Sequence, residues 1–391
     1  MSLQRLTTPT GHVVVRDADP LIGIARDVTY IPYRPGLDAS WGVFDRHRRH
    51  IPGSFDTRED PAVPCYQGAA WPSDVAEAAR TAPFDRYIYF GNFALHYGHF
   101  LVNTLPRFWP LASDREPCPP ILCHGPGTRE DWEAFKAQVE ILRRLGLTVH
   151  DIHTFEEPVR IRELVVPASS LQEQQFVHSV YGRLCDRIAQ GTYEPGCVGS
   201  EARPVYLAKT RLKSGVRRFL NEEQVVDRLA RGGVDIVYPE ELDFAAQVRL
   251  FASRRTIIGS LGSALHTAVF APPGRRIIVL CPTPEFSATY ALTDALRQHQ
   301  AHYYYPVGTS FEAFQSSFNL DFTLRDPEQV AEAILRRLDY DGDLEQYDYA
   351  FEPLNWHLSP AIPPLPRAPR SIGVAAWWRR LVPDRRRARG S

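Results

Sequence analysis

Alternating strand and helix patterns over residues 205–281 constrain the fold of this chain more than any other feature. Short runs rich in β-branched residues predict strands at 205–208, 234–238, 256–259 and 276–281. Helices are predicted to begin at Asn221, and to span 244–252 and 264–270. Gln224 follows Asn221 by three residues, which is the pattern of a capping box. Repeated strand–helix alternation predicts a parallel, doubly wound α/β sheet, with ligands at the carboxyl ends of its strands.

The first half of the chain carries a second set of such patterns. Strands are predicted at 12–15, 28–31, 87–90, 120–123, 148–152 and 164–167, and helices at 96–107, 129–145 and 178–189. The segment 193–204 is rich in Pro and Gly and is the best linker candidate. We therefore expect a first α/β domain at 1–195, a second at 200–330, a helical segment at 331–360 and a flexible Pro/Arg-rich tail at 361–391.

Composition and charge exclude several classes of protein. Hydrophobic residues make up 44% and charged residues 23%, which excludes collagen-like, coiled-coil and disordered chains. The net charge of −1 hides an asymmetry, because residues 367–391 hold eight Arg and one Asp. The remaining body is mildly acidic and gives no reason to expect nucleic-acid binding.

Sequence signals for the membrane, for secretion and for metals are absent. No apolar run approaches the ~18 residues of a membrane-spanning helix, and the N-terminus lacks a signal-peptide pattern. The six cysteines form no CxxC pair and no zinc spacing. We expect a cytoplasmic protein with reduced thiols, no bound metal and no cofactor.

The turn at 259–266 is the first candidate binding element. It reads Gly-Ser-Leu-Gly-Ser-Ala-Leu-His and joins a predicted strand to a helix. A helix N-terminus presents unpaired N–H groups that suit a phosphate, Gly262 permits close backbone approach, and Ser263 adds a hydroxyl. His266 lies one turn into the helix. The alternative is a small-residue turn required only by packing.

A basic segment after the preceding strand is the second candidate. It contains Lys209, Arg211, Lys213, Arg217 and Arg218 within ten positions. Arg can grip phosphate through two hydrogen bonds, so this segment suits a polyanion. A solvated basic loop is the alternative. Since this segment and the 259–266 turn both follow strands of one parallel sheet, we expect them at the same edge.

A pair of histidines in the predicted helix 96–107 is the third candidate. His99 and Asn103 are four residues apart and share a helical face, and His96 lies one turn earlier. Histidine is the side chain best suited to accept a proton near neutral pH. The alternative is a histidine buried in an aromatic core.

Two acidic patterns and the tail complete the survey. Asp17-Ala18-Asp19 and the run 339–343 look like cation sites, but the first lies in an irregular stretch and the second lacks the EF-hand Glu. Trp377 and Trp378 stand beside arginines, which suits peripheral contact with an anionic membrane through 367–389. A disordered, solubilising terminus is the alternative.

Taken together, these residues resemble a known family. The match is carried by Arg217, Arg218, Asn221, Glu222, Pro239, Glu240, Gln247, Gly262, Ser263, Ala264, His266, Phe270 and Gly274, and by YGHFLVNTLPRFW in the first half. The chain is similar to the bacterial branch of glycosyltransferase family sixty-one, often described as capsular polysaccharide biosynthesis proteins. The resemblance covers roughly residues 86–285.

The resemblance implies a GT-B fold, in which two Rossmann-type domains face a cleft, and inverting sugar transfer. The acceptor side would be residues 1–195, and the nucleotide-sugar donor would bind to residues 200–330. The sequence departs from the family at Lys209, where Arg is usual, and at Asn103, where many members have Asp or Glu. An amide cannot act as a general base. His99 or His96 could replace it, or the chain could be a weakened catalyst.

We therefore expect an inverting glycosyltransferase that moves a sugar from a nucleotide-sugar onto a surface polysaccharide or a lipid-linked glycan. The resemblance implies a donor site of Lys209, Arg217, Arg218, Asn221, Glu222, Gly262, Ser263, Ala264 and His266. It implies a catalytic group of His99, His96 and Asn103. The alternatives are pyruvyl or phosphoryl transfer onto polysaccharide, and a non-catalytic partner in a polysaccharide-synthesis complex.

Overall fold

The computed structural model describes residues 3–36, 39–58, 63–75, 78, 80–112, 118–212, 217–316 and 319–340. Its strands are β1 Leu3–Leu6, β2 Val15–Arg16, β3 Ile22–Ile31, β4 Gly42–Phe44, β5 Arg80–Thr81, β6 Arg86–Asn92, β7 Ile121–His124, β8 Ile152–His153, β9 Val159–Pro167, β10 Leu171–Gln172, β11 Phe176–His178, β12 Val205–Leu207, β13 Arg218–Phe219, β14 Asp235–Val237, β15 Thr256–Ser260, β16 Arg276–Leu280, β17 Gln300–Pro306, β18 Ser310–Ser316 and β19 Asn319–Thr323.

The helices alternate with these strands. The α-helices are α1 Tyr97–His99, α2 Arg129–Trp132, α3 Lys136–Arg144, α4 Ser179–Ala189, α5 Glu222–Arg231, α6 Phe244–Ser253, α7 Ala288–Arg297 and α8 Pro327–Leu338. A π-helical stretch spans Phe100–Thr104, and 3₁₀ segments span Leu105–Ala112, Val149–Asp151, Pro195–Cys197, Pro239–Glu241 and Ser263–Phe270. The predicted α/β fold class is confirmed.

The second half forms a sheet in the order β1-β17-β16-β15-β12-β14. Strands β14, β12, β15, β16 and β17 run parallel, as the alternating pattern predicts. All five residues of β15 are buried, as expected for a strand with helices on both faces. Strand β1 pairs antiparallel with β17, so a strand from the start of the chain completes the sheet of the second half.

The first half forms a mixed sheet in the order β4-β3-β9-β6-β7-β8, with β5 also paired to β9. Strands β9, β6, β7 and β8 are parallel, whereas β3 pairs antiparallel with β9 and β4. Two three-stranded sheets flank the larger ones: β10-β11-β2 and β13-β19-β18.

Several predicted helices and strands have different bounds in the structure. The predicted helix 96–107 extends to Ala112 in the structure. It changes to π-helical geometry at Phe100 and to 3₁₀ geometry at Leu105, and the 3₁₀ helix includes Pro110. The predicted helix 129–145 is interrupted between α2 and α3. There Trp132 is fully buried and stacks on Phe93 at 4.2 Å, which anchors the end of α2 in the core. Residues 149–151 form a 3₁₀ turn instead of a strand.

One hydrophobic core extends across both halves. It contains Phe93 and Leu101 from the first half and Val248, Phe270 and Leu292 from the second. Helices α4 and α7 and the 3₁₀ helix Ser263–Phe270 pack together in this core. The carboxyl edge of the second sheet is therefore held against the helical segment that follows β6.

Candidate active site at the junction of the two halves

The helical segment that carries the predicted histidines follows β6 after a short turn. His96 is its N-cap, and its Nδ1 accepts a hydrogen bond from the His99 N–H at 3.4 Å. After one α-helical turn, the segment widens into the π-helical stretch Phe100–Thr104. Such wide turns are frequent at functional sites.

A chain of hydrogen bonds connects His99 with a buried carboxylate. His99 Nδ1 lies 3.0 Å from Asn103 Oδ1, and Asn103 Nδ2 donates to Glu173 Oε1 at 2.8 Å. Asn103 and Glu173 are each 7% exposed. Glu173 lies in the turn between β10 and β11, and the sequence analysis missed it because an isolated Glu in a polar turn carries no motif.

Two further side chains hold the Glu173 carboxylate. The Tyr66 hydroxyl donates to Oε1 at 2.9 Å, and an Arg58 guanidinium nitrogen lies 3.4 Å from Oε2. Burial raises the pKa of Glu173, but Arg58, His99 and the hydrogen bonds from Asn103 and Tyr66 outweigh burial and leave it below its usual value. Glu173 is therefore ionised at neutral pH.

Tyr66 belongs to a segment whose topology the sequence analysis did not resolve. Its backbone has a φ of +70°, in the left-handed region that is rare for an aromatic residue. Its ring meets the His99 ring edge-on at 5.3 Å. Arg107 is 1% exposed and anchors the part of the chain that leads to Arg58. It donates hydrogen bonds to the Phe55 carbonyl at 2.8 Å and to Asp56 Oδ1 at 3.0 Å. The Tyr66 ring therefore forms one wall of the His99 site.

His96 is less suited than His99 to accept a proton. Burial, helped by the nearby His99 and His266, lowers the pKa of His96 to about 3. Its Nδ1 also caps the helix. A group with this pKa is a weak base at neutral pH, so the environment favours His99 for proton transfer.

The turn after β15 presents backbone N–H groups at the carboxyl edge of the second sheet. The first hydrogen bond of the 3₁₀ helix runs from the Leu265 N–H to the Gly262 carbonyl at 3.1 Å. The N–H groups of Gly262, Ser263 and Ala264 precede this bond. They are the groups that a helix N-terminus offers to an anion.

Lys209 lies beneath this turn. Its Nζ donates to the Leu261 carbonyl at 2.8 Å, and a Cβ added to Gly262 would lie 2.6 Å from Nζ. Only a residue without a side chain fits at position 262 while Lys209 keeps this place. Burial lowers the pKa of Lys209 to about 8. Lys209 therefore carries a positive charge next to the turn at neutral pH.

The two candidate elements touch each other. A Cβ added to Gly98 would lie 3.0 Å from Ser263 Cβ and 3.2 Å from His96 Cε1. The Tyr97 hydroxyl is 2.9 Å from Thr267 Oγ1, on the helix that begins at Ser263. The predicted proton acceptor and the predicted phosphate turn therefore lie side by side.

Arg217 is a further charged residue of the predicted donor site. It makes no hydrogen bond or ion pair with any residue that the structure describes. Burial raises the pKa of Tyr290, and Arg217 opposes this effect, while Cys281 and Glu173 add to it. His266 stacks on the Tyr290 ring at 4.4 Å, and burial lowers the pKa of His266 to about 4. Arg217 is thus an available cation near the turn.

Among the described residues, two buried polar atoms at this edge lack hydrogen-bond partners. Ser260 Oγ, at the end of β15, and His266 Nδ1 are buried without a hydrogen bond to any described residue. Buried polar groups are usually hydrogen-bonded. Unsatisfied groups on both sides of the 262–264 amides fit a site that completes its hydrogen bonds with a polar ligand.

Other residues that were predicted to bind the nucleotide-sugar make contacts within the second half of the chain instead. Arg218 donates two hydrogen bonds to the buried Asp321, at 2.9 and 3.1 Å. Asn221 exchanges two hydrogen bonds with the backbone of Leu324, at 2.8 and 3.0 Å. The capping box predicted for Asn221 is therefore wrong, because its side chain is engaged across the fold and makes no cap bond.

Glu222 is likewise engaged inside the second half. It is 2% exposed and accepts hydrogen bonds from the Tyr206 hydroxyl at 2.8 Å and the Lys209 N–H at 3.1 Å. Burial raises the pKa of Glu222. Its contacts hold the end of β12 in place, which positions Lys209 beneath the turn.

The remaining features fall outside this site. Asp17 accepts a hydrogen bond from Ser179 and Asp19 pairs with Arg183, so both bind the N-terminal half of α4. Lys213, residues 341–343 of the 339–343 run, residues 341–360 of the 331–360 segment and the whole tail lie outside the described residues. None of the helices within the described ranges is both long and apolar enough to cross a membrane.

The fold and the site define an α/β protein in which hydrogen bonds connect His99 through Asn103 to the Glu173 carboxylate, next to the turn after β15. Residues 97–278 match the family model described as Glycosyltransferase 61. The matched region contains His99, Asn103, Glu173, Arg217 and the 262–264 turn. The match supports this family, and with it a transferase class, for the chain. The chain matches none of the curated proteins.

Proposed function

We propose that the protein is an inverting glycosyltransferase of the GT-B type, with the donor nucleotide-sugar in the second half and the acceptor in the first. The observation that carries the proposal is the contact between Gly98, which precedes His99, and Ser263, which lies in the 262–264 turn. A glycosyl transfer needs both elements close together, because the proton acceptor and the leaving group act on the same reaction centre.

The proposed step is a single displacement at the anomeric carbon. The bond between that carbon and the diphosphate oxygen breaks, and the acceptor oxygen forms the new bond. His99 Nε2 takes the acceptor proton, while the diphosphate leaves with the electron pair. A positioned base contributes about 10²–10⁴-fold to such a reaction.

Positive charge at the turn would stabilise the departing diphosphate. Arg217 supplies an available guanidinium, Lys209 a buried ammonium, and Gly262, Ser263 and Ala264 their N–H groups. Fixed donors aimed at developing negative charge are commonly the largest catalytic contribution. We propose that these groups hold the diphosphate without a divalent cation, which a chelator tests directly.

The biological setting belongs to the same proposal. The acceptor would be a bacterial capsular or other surface polysaccharide, or a lipid-linked glycan. The protein would work in the cytoplasm at the inner face of the plasma membrane, with residues 367–389 as a peripheral contact. Vesicle binding by the full chain and by a chain that ends at Pro360 tests the membrane contact, and equal binding would contradict it.

A donor panel tests the proposed activity. UDP-, GDP-, CMP- and dTDP-linked sugars are added to the full-length protein with EDTA and, separately, with Mg²⁺, and the melting temperature is measured. A ligand at 100 times its Kd stabilises the folded state by about 2.7 kcal/mol, which is readily measured. The proposal predicts stabilisation by one nucleotide class in EDTA. Stabilisation by none of them would contradict it.

A further inference from the structure

We propose that Glu173 is a positioning residue that fixes the proton of His99 on Nδ1, acting through Asn103. This inference deepens the proposed function and rests on it for its catalytic consequence. The observation behind it is the pair of hydrogen bonds that joins the three side chains, 3.0 Å from His99 to Asn103 and 2.8 Å from Asn103 to Glu173.

The chemistry of the three groups sets the direction of each hydrogen bond. An ionised carboxylate only accepts, so Glu173 requires the NH₂ group of Asn103 on its side. The amide oxygen of Asn103 then faces His99 and accepts. His99 Nδ1 must therefore carry the proton, which leaves the lone pair on Nε2 for the acceptor hydroxyl.

The turn that carries Glu173 is held from several sides. The next residue, Gln174, has a φ of +61° and receives a hydrogen bond on its carbonyl from the His12 N–H at 2.7 Å. The Gln174 N–H donates to Thr289 Oγ1 at 3.1 Å, at the start of α7. Packing of Gly11 against Gln174 leaves no space for a Cβ, which would lie 2.5 Å from the Gln174 carbonyl oxygen. The carboxylate position is thus built into the fold.

The charged groups around Glu173 also support a single negative charge in the relay of His99, Asn103 and Glu173. Arg58 and Tyr66 contact it directly, and Asp56, Cys65, His99 and His266 lie close enough to interact with it electrostatically. An Asp at position 103 would place a second carboxylate within hydrogen-bond distance of Glu173, and two such groups cannot both ionise cheaply. Asn103 therefore acts as the neutral connector between His99 and the carboxylate.

The first test reads the His99 proton directly and needs no substrate. The full-length protein is labelled with ¹⁵N in its histidine rings, and His99 is assigned from a His99→Gln spectrum. We expect the proton on Nδ1 in the wild type. In Glu173→Gln, an amide replaces the carboxylate and no longer dictates the orientation of Asn103, so we expect a mixture of both tautomers. A wild-type proton on Nε2, or an unchanged tautomer in Glu173→Gln, would overturn the proposal.

The second test exchanges the two side chains. In Asn103→Asp/Glu173→Gln, an aspartate accepts from His99 and the glutamine amide donates to the aspartate, so the relay keeps its length and its charge. We expect the Nδ1 tautomer to return in this double variant but not in Glu173→Gln alone. Circular dichroism confirms that each variant is folded, and Glu140→Gln, in a surface ion pair on α3, is the matched control. Failure of the double variant to restore the tautomer would overturn the proposal.

The third test connects the relay with activity. From the panel of UDP-, GDP-, CMP- and dTDP-linked sugars, the nucleotide-sugar that raises the melting temperature is used as the donor, and its turnover is measured. We expect kcat in Glu173→Gln to fall at least tenfold with KM for the donor unchanged, and to recover in the double variant. The loss is bounded by the ~10²–10⁴-fold contribution of a general base. The expected tautomers without activity on any donor would contradict the proposed function and leave the relay intact. If kcat did not follow the His99 tautomer across the wild type and the two variants, the catalytic part of this inference would be overturned.

Discussion

Gly98 and Ser263 lie against each other at the junction of the two halves, and a Cβ added to Gly98 would lie 3.0 Å from Ser263 Cβ. The two residues come from the two elements that the sequence analysis identified separately, the histidine helix and the small-residue turn. Their contact holds the histidine helix against the turn after β15.

The Gly98→Ala variant tests the contact. We expect the added methyl group to push the Ser263 turn away from the histidine helix, because the neighbouring atoms leave too little space. Overpacking of this kind typically costs about 1–3 kcal/mol of folding free energy. We expect a lower melting temperature and a larger relative loss of turnover than of donor affinity. Gly196→Ala would serve as the control for space, since a Cβ there meets nothing within 4 Å and the backbone is not in the left-handed region. Turnover that equals the wild type in Gly98→Ala would contradict the account.

The roles of the two histidines can be separated by substitution. We expect His99→Ala to reduce kcat by about 10²–10⁴-fold, the usual contribution of a general base. His96→Asn should retain far more activity, because burial keeps the pKa of His96 near 3 and its main role is to cap the helix. His150→Asn, on the exposed surface, is the control. The opposite order of losses would assign the proton transfer to His96.

The Glu173 carboxylate should make stability depend on pH. Its pKa in the folded protein lies below the ordinary value of 4.5, because Arg58 and the hydrogen bonds outweigh burial. Its stabilising contribution is therefore complete above about pH 4.5 and is lost as the pH falls through the folded value. In urea unfolding, the difference between wild type and Glu173→Gln should be largest near pH 7 and shrink in acid. A constant difference from pH 7 to pH 3 would show that the carboxylate charge contributes nothing.

Lys209 should make the binding of a nucleoside diphosphate depend on pH above neutrality. Burial lowers the pKa of this lysine to about 8, so its positive charge disappears as the pH rises through that value. We expect the affinity for the diphosphate to weaken between pH 7 and pH 9, and Lys209→Met to bind more weakly at pH 7 with no such slope. Equal slopes for the two proteins would remove Lys209 from the donor site.

The sequence predicted most of the elements between residues 205 and 281, but it gave no prediction for α7, β17, β18 and β19, which follow them. Strands β12 and β15 are buried throughout and β16 is buried after Arg276, and their Val and Ile content predicts strands in a parallel sheet. The turn after β15 was recognised because Gly262 and two serines directly follow such a run. The carboxyl edge of a parallel sheet then brings this turn and the basic segment to one side.

Long-range contacts were beyond the sequence analysis. Strand β1 pairs with β17, near the other end of the described chain, and Asn221 bonds to Leu324 instead of capping its own helix. Glu173 was missed for the same reason. Its partners Asn103 and Tyr66 are distant in sequence, and only the fold brings the three side chains together.

The most direct test of the central claim is the binding of nucleoside diphosphates measured by isothermal titration calorimetry in EDTA. UDP, GDP and dTDP are titrated into the wild type, into Arg217→Ala and into Arg231→Ala, whose substituted side chain lies on the exposed face of α5. The corresponding monophosphates, with CMP, test whether the second phosphate contributes. We predict that the wild type binds one diphosphate, and that it binds the corresponding monophosphate at least tenfold more weakly. We predict that Arg231→Ala keeps this difference in affinity, whereas Arg217→Ala binds the two nucleotides equally weakly. Equal binding of the diphosphate by wild type and Arg217→Ala would contradict the account.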